Sequence, residues 1–284
     1  MSRLMRSAGL MVVAGLAVLA GCGTAPAGSP APAGTAAAAS GTQAAGTPAP
    51  TAAQLDSAQR ACAGPGSYLT AVRTGKHGSY DRVVFQFSGG LPSVRTERVS
   101  TVYDDPKGTP VPLAGKSRLH VVFRGASAFC PQPAHRTWTG PRVLAPRYPQ
   151  LLMIKAAGDF EGYLSFGIGL AARGSYHVFT LASPDRVVID FSHVTLGKFP
   201  GIWDITSWPQ YWATQYSWLN GHQPWLSSPS AVVQVWAGGY GSALVVRPVS
   251  ANTFKVTKPD GKTFTVTGVR PVSVPGPWVI TKIA

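Results

Sequence analysis

Two stretches of this chain, "YDRVVFQFSG" from Tyr80 to Gly89 and "PDRVVIDFSH" from Pro184 to His193, spell nearly the same strand twice. Both read Asp-Arg-Val-Val, two further residues, then Phe-Ser. Successive side chains of an extended chain point to opposite faces. Val83, Phe85 and Phe87 therefore share one face, and Arg82, Val84 and Gln86 the other. The second copy divides the same way, Val187, Ile189 and Phe191 against Arg186, Val188 and Asp190. A bulky apolar row alternating with mixed residues is the pattern of a strand with one face buried. "RLHVVFRG" (Arg118 to Gly125), "GYLSFGIGL" and "YHVFTLAS" (Tyr176 to Ser183) follow the same period, with Leu164, Phe166, Ile168 and Leu170 on one side of the middle segment. Gly, Pro and Asp punctuate these strands, and no long amphipathic helix precedes residue 200. The pattern predicts a small β-sandwich from Gly66 to Val194.

Beyond Val194 the texture changes. Six of the eight Trp lie between Trp203 and Trp236. "SWPQYWATQYSWLNGHQPW" carries a helix start in Ser207, with Pro209 behind it, and a stop in Asn220-Gly221. On that helix Trp208, Trp212, Tyr216 and Leu219 form one stripe. "SSPSAVVQVWAGG" repeats the logic, with Ser228 as cap, Pro229 in the first turn and Gly238-Gly239 after the end. The strands "SALVVRPV", "TFKVTK", "TFTVTGV" and "WVITKI" follow, the middle two joined by a "PDGK" turn. The expected fold is therefore mainly β: a sandwich, then a small α+β unit with two short helices and about four strands.

The N-terminal end reads differently from both. Arg3 and Arg6 precede an uncharged run from Ala8 to Ala20. That run is too short to span a bilayer and fits the apolar part of a signal peptide. It ends in Leu19-Ala20-Gly21-Cys22, which resembles the lipobox of bacterial lipoproteins. The resemblance implies cleavage before Cys22 and a diacylglycerol on its thiol. Such an anchor holds the chain at the outer face of the cytoplasmic membrane, facing the cell wall. From Gly23 to Ala53 the chain holds only Gly, Ala, Pro, Ser and Thr with one Gln, a composition with nothing to bury. The expected division is a signal peptide (1–21), a disordered tether (22–53), a sandwich (54–197) and a small α+β domain (198–284).

With Cys22 assigned to lipid, Cys62 and Cys130 remain as an even pair in an oxidising compartment. A disulfide is the natural reading; two unpaired buried thiols are the alternative. Once Arg3 and Arg6 are set aside, 23 basic side chains face 11 acidic ones, and charged residues make up only 13% of the chain. The excess comes from scarce acids, and it suits anionic wall polymers, peptidoglycan carboxylates or lipid headgroups. No nucleic-acid-binding motif spacing is present. No HExxH, paired-His or Gly-x-Ser-x-Gly pattern marks a catalytic or metal centre, so no metal, cofactor or catalytic residue is expected. Asp159 and Glu161 share a face two residues apart, but no third group supports them.

The order "YDRVVFQF", a long middle, "GDFEGYLSFGIGL" and "YHVFTLASPDRVVIDF" resembles the AMIN-like domain of lipoproteins from high-G+C Gram-positive bacteria, over roughly residues 66 to 195. The resemblance implies a sandwich of two similar sheets, with the two Asp-Arg strands as equivalent members of a pseudo-symmetric pair. It also implies a non-catalytic role in localisation at the wall. Arg82, Arg186 and Asp190 are candidates for a ligand-binding row, or for the solvated face of half-buried strands. Trp212 and Trp218 are candidates for a sugar or headgroup platform, or for cover over a small sheet. The function expected is that of a lipid-anchored binding protein of the envelope, not an enzyme. It would contact wall polysaccharide or anionic polymer, and an envelope protein partner is a further possibility. The competing classes are an enzyme of envelope metabolism with a dispersed site and a structural partner of a membrane complex.

Overall fold

The computed structural model describes residues 62, 65–238, 245–272 and 275–284. The expected signal peptide, Cys22 and the tether lie outside the described residues. Among the described residues fourteen strands precede the first helix. They are β1 (Ser67–Lys76), β2 (Tyr80–Ser88), β3 (Ser93–Val99), β4 (Val102–Tyr103), β5 (Pro110–Val111), β6 (Ser117–Arg124) and β7 (Ala126–Ser127). Then come β8 (Phe129–Pro131), β9 (Ala134–Arg136), β10 (Val143–Leu144), β11 (Leu151–Phe160), β12 (Tyr163–Leu170), β13 (Tyr176–Leu181) and β14 (Arg186–Ser192). They form two five-stranded sheets, β13-β14-β2-β1-β7 and β10-β11-β12-β6-β3, and two short ribbons, β4-β5 and β8-β9.

Between the sheets lies the core that the alternation predicts. Val83, Phe85, Phe87, Val187, Ile189 and Phe191 from the first sheet meet Leu119, Val121, Phe123, Leu164, Phe166 and Ile168 from the second. Phe85 packs on Phe123 and Phe166 at centroid distances of 4.9 and 5.0 Å. The two Asp-Arg strands, expected as equivalent members of two similar sheets, are instead neighbours in the interior of a single sheet. β2 and β14 pair antiparallel with Arg82 opposite Asp190, Val84 opposite Val188 and Gln86 opposite Arg186. Position two of each copy thus faces position six of the other. The pseudo-symmetry is that of a strand pair within one sheet.

One polar group crosses this apolar layer. Asp81, at the start of β2, is fully buried. Its Oδ2 accepts hydrogen bonds from the backbone N–H of Gln150 (2.7 Å) and Leu151 (2.9 Å), where β11 of the opposite sheet begins. His193 Nε2, just past β14, lies 2.9 Å from Oδ1. A carboxylate oxygen only accepts, so the ring nitrogen donates. The equivalent residue in the second copy, Asp185, is only half-buried.

β1, β3 and β11 were not singled out in the sequence. β11 reads "LLMIKAAGDF" because both its faces are covered, which erases alternation. Its cover, and that of β12, is the segment from Val102 to Ala114 together with the C-terminal part. A Cβ on Gly169 would stand 2.1 Å from the carbonyl oxygen of Ala114, and one on Gly167 2.8 Å from Leu113. The two glycines of "GIG" let that segment lie flat on the sheet.

The C-terminal part contains α1 (Trp208–Leu219), a 3₁₀ turn (Pro224–Ser227), α2 (Pro229–Gly238) and strands β15 (Val245–Ser250), β16 (Thr253–Thr257), β17 (Thr263–Val269) and β18 (Val279–Ile283). The strands form one antiparallel sheet in chain order. Ser207 caps α1 by accepting from the Gln210 N–H, and Asn220 closes it. α2 lays Val232, Val233 and Trp236 over Phe254, Val256, Val266 and Ile280. α1 faces the other way. Phe199, Tyr211, Trp212 and Val279 share a cluster with Val102, Leu113, Leu152 and Ala157 of the sandwich. Buried Gln215 accepts from the Gly115 N–H (2.9 Å) and donates to the Pro275 carbonyl (3.1 Å). Lys116 Nζ lies 3.8 Å from the Trp208 ring centre. The sandwich and the α+β part therefore share a core.

Cys62 and Cys130 form a disulfide across 68 residues of sequence. It ties the segment before β1 to β8, as the pairing argument expected.

Asp81→Ala would leave two buried N–H groups without an acceptor. At roughly 1–3 kcal/mol for each such donor, the variant should lose about 4 kcal/mol of stability in urea unfolding. Asp81→Asn keeps one carbonyl oxygen and should lose less than half of that. Equal unfolding midpoints for wild type and Asp81→Ala would show that the carboxylate does not link the sheets.

Candidate functional site

The sandwich presents two outer faces, and each carries a set of polar side chains. On the first sheet the rows run across β13, β14, β2 and β1. One row is His177, Asp190, Arg82 and Gly75; the next is Phe179, Val188, Val84 and Arg73; the third ends in Leu181, Arg186 and Gln86. The structure thus brings Arg82, Arg186 and Asp190 onto one face. It does not make them one cluster of free groups. Arg82 donates to both oxygens of Asp190, Nε to Oδ1 at 2.7 Å and Nη2 to Oδ2 at 2.8 Å. This two-point contact holds the guanidinium pKa above its usual value, against the lowering that partial burial causes. Its Cζ also lies 5.2 Å from the Tyr80 ring centre and 5.4 Å from that of Phe179. Gln86 stands where the second copy has Asp190, so Arg186 meets no carboxylate across the pair. It donates instead to the Pro184 carbonyl, and Gln86 accepts from Arg73 at 2.6 Å. This face carries three arginines to one aspartate.

The second sheet opens differently. Its outer face is covered over β11 and part of β12, and uncovered toward β3. Antiparallel pairing sets Ser93, Arg124 and Tyr163 in one row. Arg95, Val122 and Ser165 form the next, and Glu97, His120 and Gly167 the third. In the fourth row Arg118 is already buried and donates to the Leu113 carbonyl at 3.3 Å. Between the covered end and Tyr163 lies a groove of about 430 Å³ lined by Ser93, Arg95, Glu97, His120, Arg124 and Tyr163. Ligand pockets commonly measure roughly 300–1,000 Å³. Arg95 reaches Glu97 at 3.0 Å, an exposed pair of small energetic value. Among the described residues no carboxylate lies within ion-pair distance of Arg124. Tyr163 is 42% exposed. The Nε2 of His120 is buried and has no hydrogen-bond partner among the described residues. Burial lowers the His120 pKa; Glu97 and Asp105 oppose that shift and Arg95 adds to it.

The remaining candidates fall elsewhere. Trp212 is 5% exposed, packed between Trp208 and Tyr211 at centroid distances of 5.1 and 5.3 Å. Its ring faces the core shared with the sandwich, and no open face remains to stack on a sugar. Trp218 is half-buried against the α2 cluster, and its Nε1 donates to Ser227 Oγ at 3.0 Å. Trp212 thus belongs to the core that α1 shares with the sandwich, and Trp218 packs against the α2 cluster. Asp159 accepts from the Ser127 hydroxyl and the Ala128 N–H, a structural use. Glu161 occupies the β11-β12 turn with a φ of 48°. No set of three or more His, Cys, Asp or Glu among the described residues is placed to hold a metal.

The groove on the second sheet escaped the sequence. Its signal was present as the alternation Ser93, Arg95, Glu97 in "SVRTERVS" and His120, Val122, Arg124 in "RLHVVFRG". Only the register that aligns β3 with β6 and β12 puts these side chains together.

His120 yields a pH prediction. A folded-state pKa below the ordinary 6.5 means that the unfolded chain binds the proton more readily. This contribution to stability is present in full above pH 6.5 and declines as the pH falls below it. His120→Gln should flatten the stability difference between pH 7.5 and pH 5.5 in thermal melts. An unchanged slope would show that the ring is not desolvated in the folded state.

Comparison with known proteins then bears on what such a sandwich is. Residues 67–193 match the family model of the AMIN-like domain. Comparisons with curated proteins and with solved structures give no match. The β1-to-His193 sandwich, with its buried Asp81 and its paired Asp-Arg strands, is thus similar to the AMIN-like domain over residues 67–193, and a small α+β part follows it.

Proposed function

We propose that this protein is a lipid-anchored, extracytoplasmic binding protein of the cell envelope, and that its AMIN-like sandwich contacts wall polymer without catalysis. The observation that carries the reading is the match of residues 67–193 to the AMIN-like domain, a module associated with the cell envelope. The disulfide between Cys62 and Cys130 fits an oxidising compartment. The open face of the first sheet adds a chemical reason for an anionic partner. Arg73, Arg82 and Arg186 project there against Asp190 alone, and the chain as a whole carries a formal charge of +14. Long-range attraction of this kind raises the encounter rate with a polyanion and is screened within about 10 Å at 0.1 M salt. Cys22 supplies the anchor in this reading, and the Gly/Ala/Pro-rich stretch after it supplies the reach.

Two outcomes test it. Cys22→Ser should leave the precursor unprocessed or release it into the medium, as judged by detergent partitioning of cell fractions. Unchanged membrane association would remove the lipid anchor from the reading. The full chain should bind crude wall material at low salt and release most of it above a few tenths molar, where the screening length falls to a few ångströms. Stripping anionic polymer from the wall should weaken capture more than Trp218→Ala does. Capture that survives high salt and polymer removal but fails in Trp218→Ala would relocate binding to the C-terminal aromatics.

A further inference from the structure

We infer that the groove between β3, β6 and β12 is a binding site for an acidic sugar, a pyranose ring bearing a carboxylate. The inference rests on the wall-polymer reading and narrows it to one site and one ligand chemistry. The lining offers four kinds of contact that no other single ligand class would use together. Tyr163 presents an exposed ring at the open end, suited to the C–H face of a sugar. Arg124 lies directly beside it in the strand register and has no carboxylate partner among the described residues. It is placed to bind a carboxylate carried on that ring. Glu97 and Ser93 on β3 accept from hydroxyls or amides along the other edge of the groove. His120 brings a buried ring nitrogen without a partner to the floor. A polyphosphate would leave the exposed ring of Tyr163 without a partner. A neutral glycan would leave Arg124 uncompensated, and an acyl chain would desolvate the arginines with nothing in return.

The position in the fold agrees. The sheet face is closed at the other end by the Val102–Ala114 segment, so the groove is bounded on one side and open on the other, as a site for one unit of a longer polymer needs to be. β3 is the edge of its sheet, which leaves room for the polymer to continue past Ser93 and Tyr163.

The test is calorimetric titration of the full chain with three probes. They are the disaccharide of N-acetylglucosamine and N-acetylmuramic acid, the same disaccharide with its carboxylate reduced to an alcohol, and a short glycerol phosphate oligomer. A charge-assisted hydrogen bond corresponds to about tenfold or more in affinity. The acid should therefore bind at least about tenfold tighter than the alcohol and tighter than the phosphate oligomer. Arg124→Gln should bring acid and alcohol together. Tyr163→Ala should weaken both. Lys262→Gln, in the exposed turn between β16 and β17, should change neither. Arg124 and Tyr163 are exposed, so the variants should keep the wild-type unfolding midpoint. Equal affinity for acid and alcohol, a preference for the phosphate oligomer, or unaltered binding in Arg124→Gln and Tyr163→Ala would overturn the assignment. A chain that is captured by whole wall but fails these titrations loses the groove and keeps the envelope reading. A chain that passes the titrations without whole-wall capture does the reverse.

Discussion

The buried carboxylate of Asp81 is the contact on which the geometry of the sandwich depends. Two sheets joined only by apolar side chains have freedom to slide, because dispersion and hydrophobic burial are weakly directional. Asp81 removes that freedom. It fastens the first residue pair of β11 to β2 and takes His193 from the end of β14 on its other oxygen. Three chain segments far apart in sequence thus meet at one charge. Burying a carboxylate is tolerable only when its lone pairs are used, and here both oxygens are. The repeat of the Asp-Arg strand explains why only one copy needs this device. Its second aspartate, Asp185, stands just before β14 at the opposite end of the antiparallel pair, where it is only half-buried.

The same pairing sets the charges of the outer face. Position two faces position six, so each arginine meets whatever the other copy carries there. One arginine meets Asp190 and is held at two points; the other meets Gln86 and is not. A symmetric strand pair thereby becomes electrostatically asymmetric, with its excess positive charge at one end.

The C-terminal α+β part matters to the site by what it leaves open. It shares a core with the sandwich over Leu152, Ala157 and the Val102–Ala114 segment, with Tyr211, Trp212 and Gln215 of α1 providing the contact. That cover stops short of β3. The uncovered remainder of the second sheet is the groove with Arg124 and Tyr163. In the Trp-rich stretch, Trp212 and Trp236 are buried, because large rings are needed to close a core formed by two short helices and four strands.

Alternation alone marked β2, β6, β12, β13 and β14, the apolar row of β2, β12 and β14, and sequence offsets marked the N-terminal caps of both helices, because a side chain's face in a strand and a cap's offset in a helix are local properties. The mainly β class and the Cys62–Cys130 pairing were also readable at that level. β11 was hidden because burial on both faces abolishes alternation, and β3 because its outward residues, Arg95 and Glu97, are unremarkable until they have neighbours. Arg82 and Asp190 stand 108 residues apart, and no local rule says that they would meet rather than face solvent separately. Nor could a local rule say that Asp81, of two equivalent aspartates, would be the buried one. Partnership between strands depends on register, and exposure depends on which elements pack over a face. Both arise from contacts between residues distant in the chain, so the ion pair, the buried carboxylate and the Arg124–Tyr163 groove came into view only in the folded molecule.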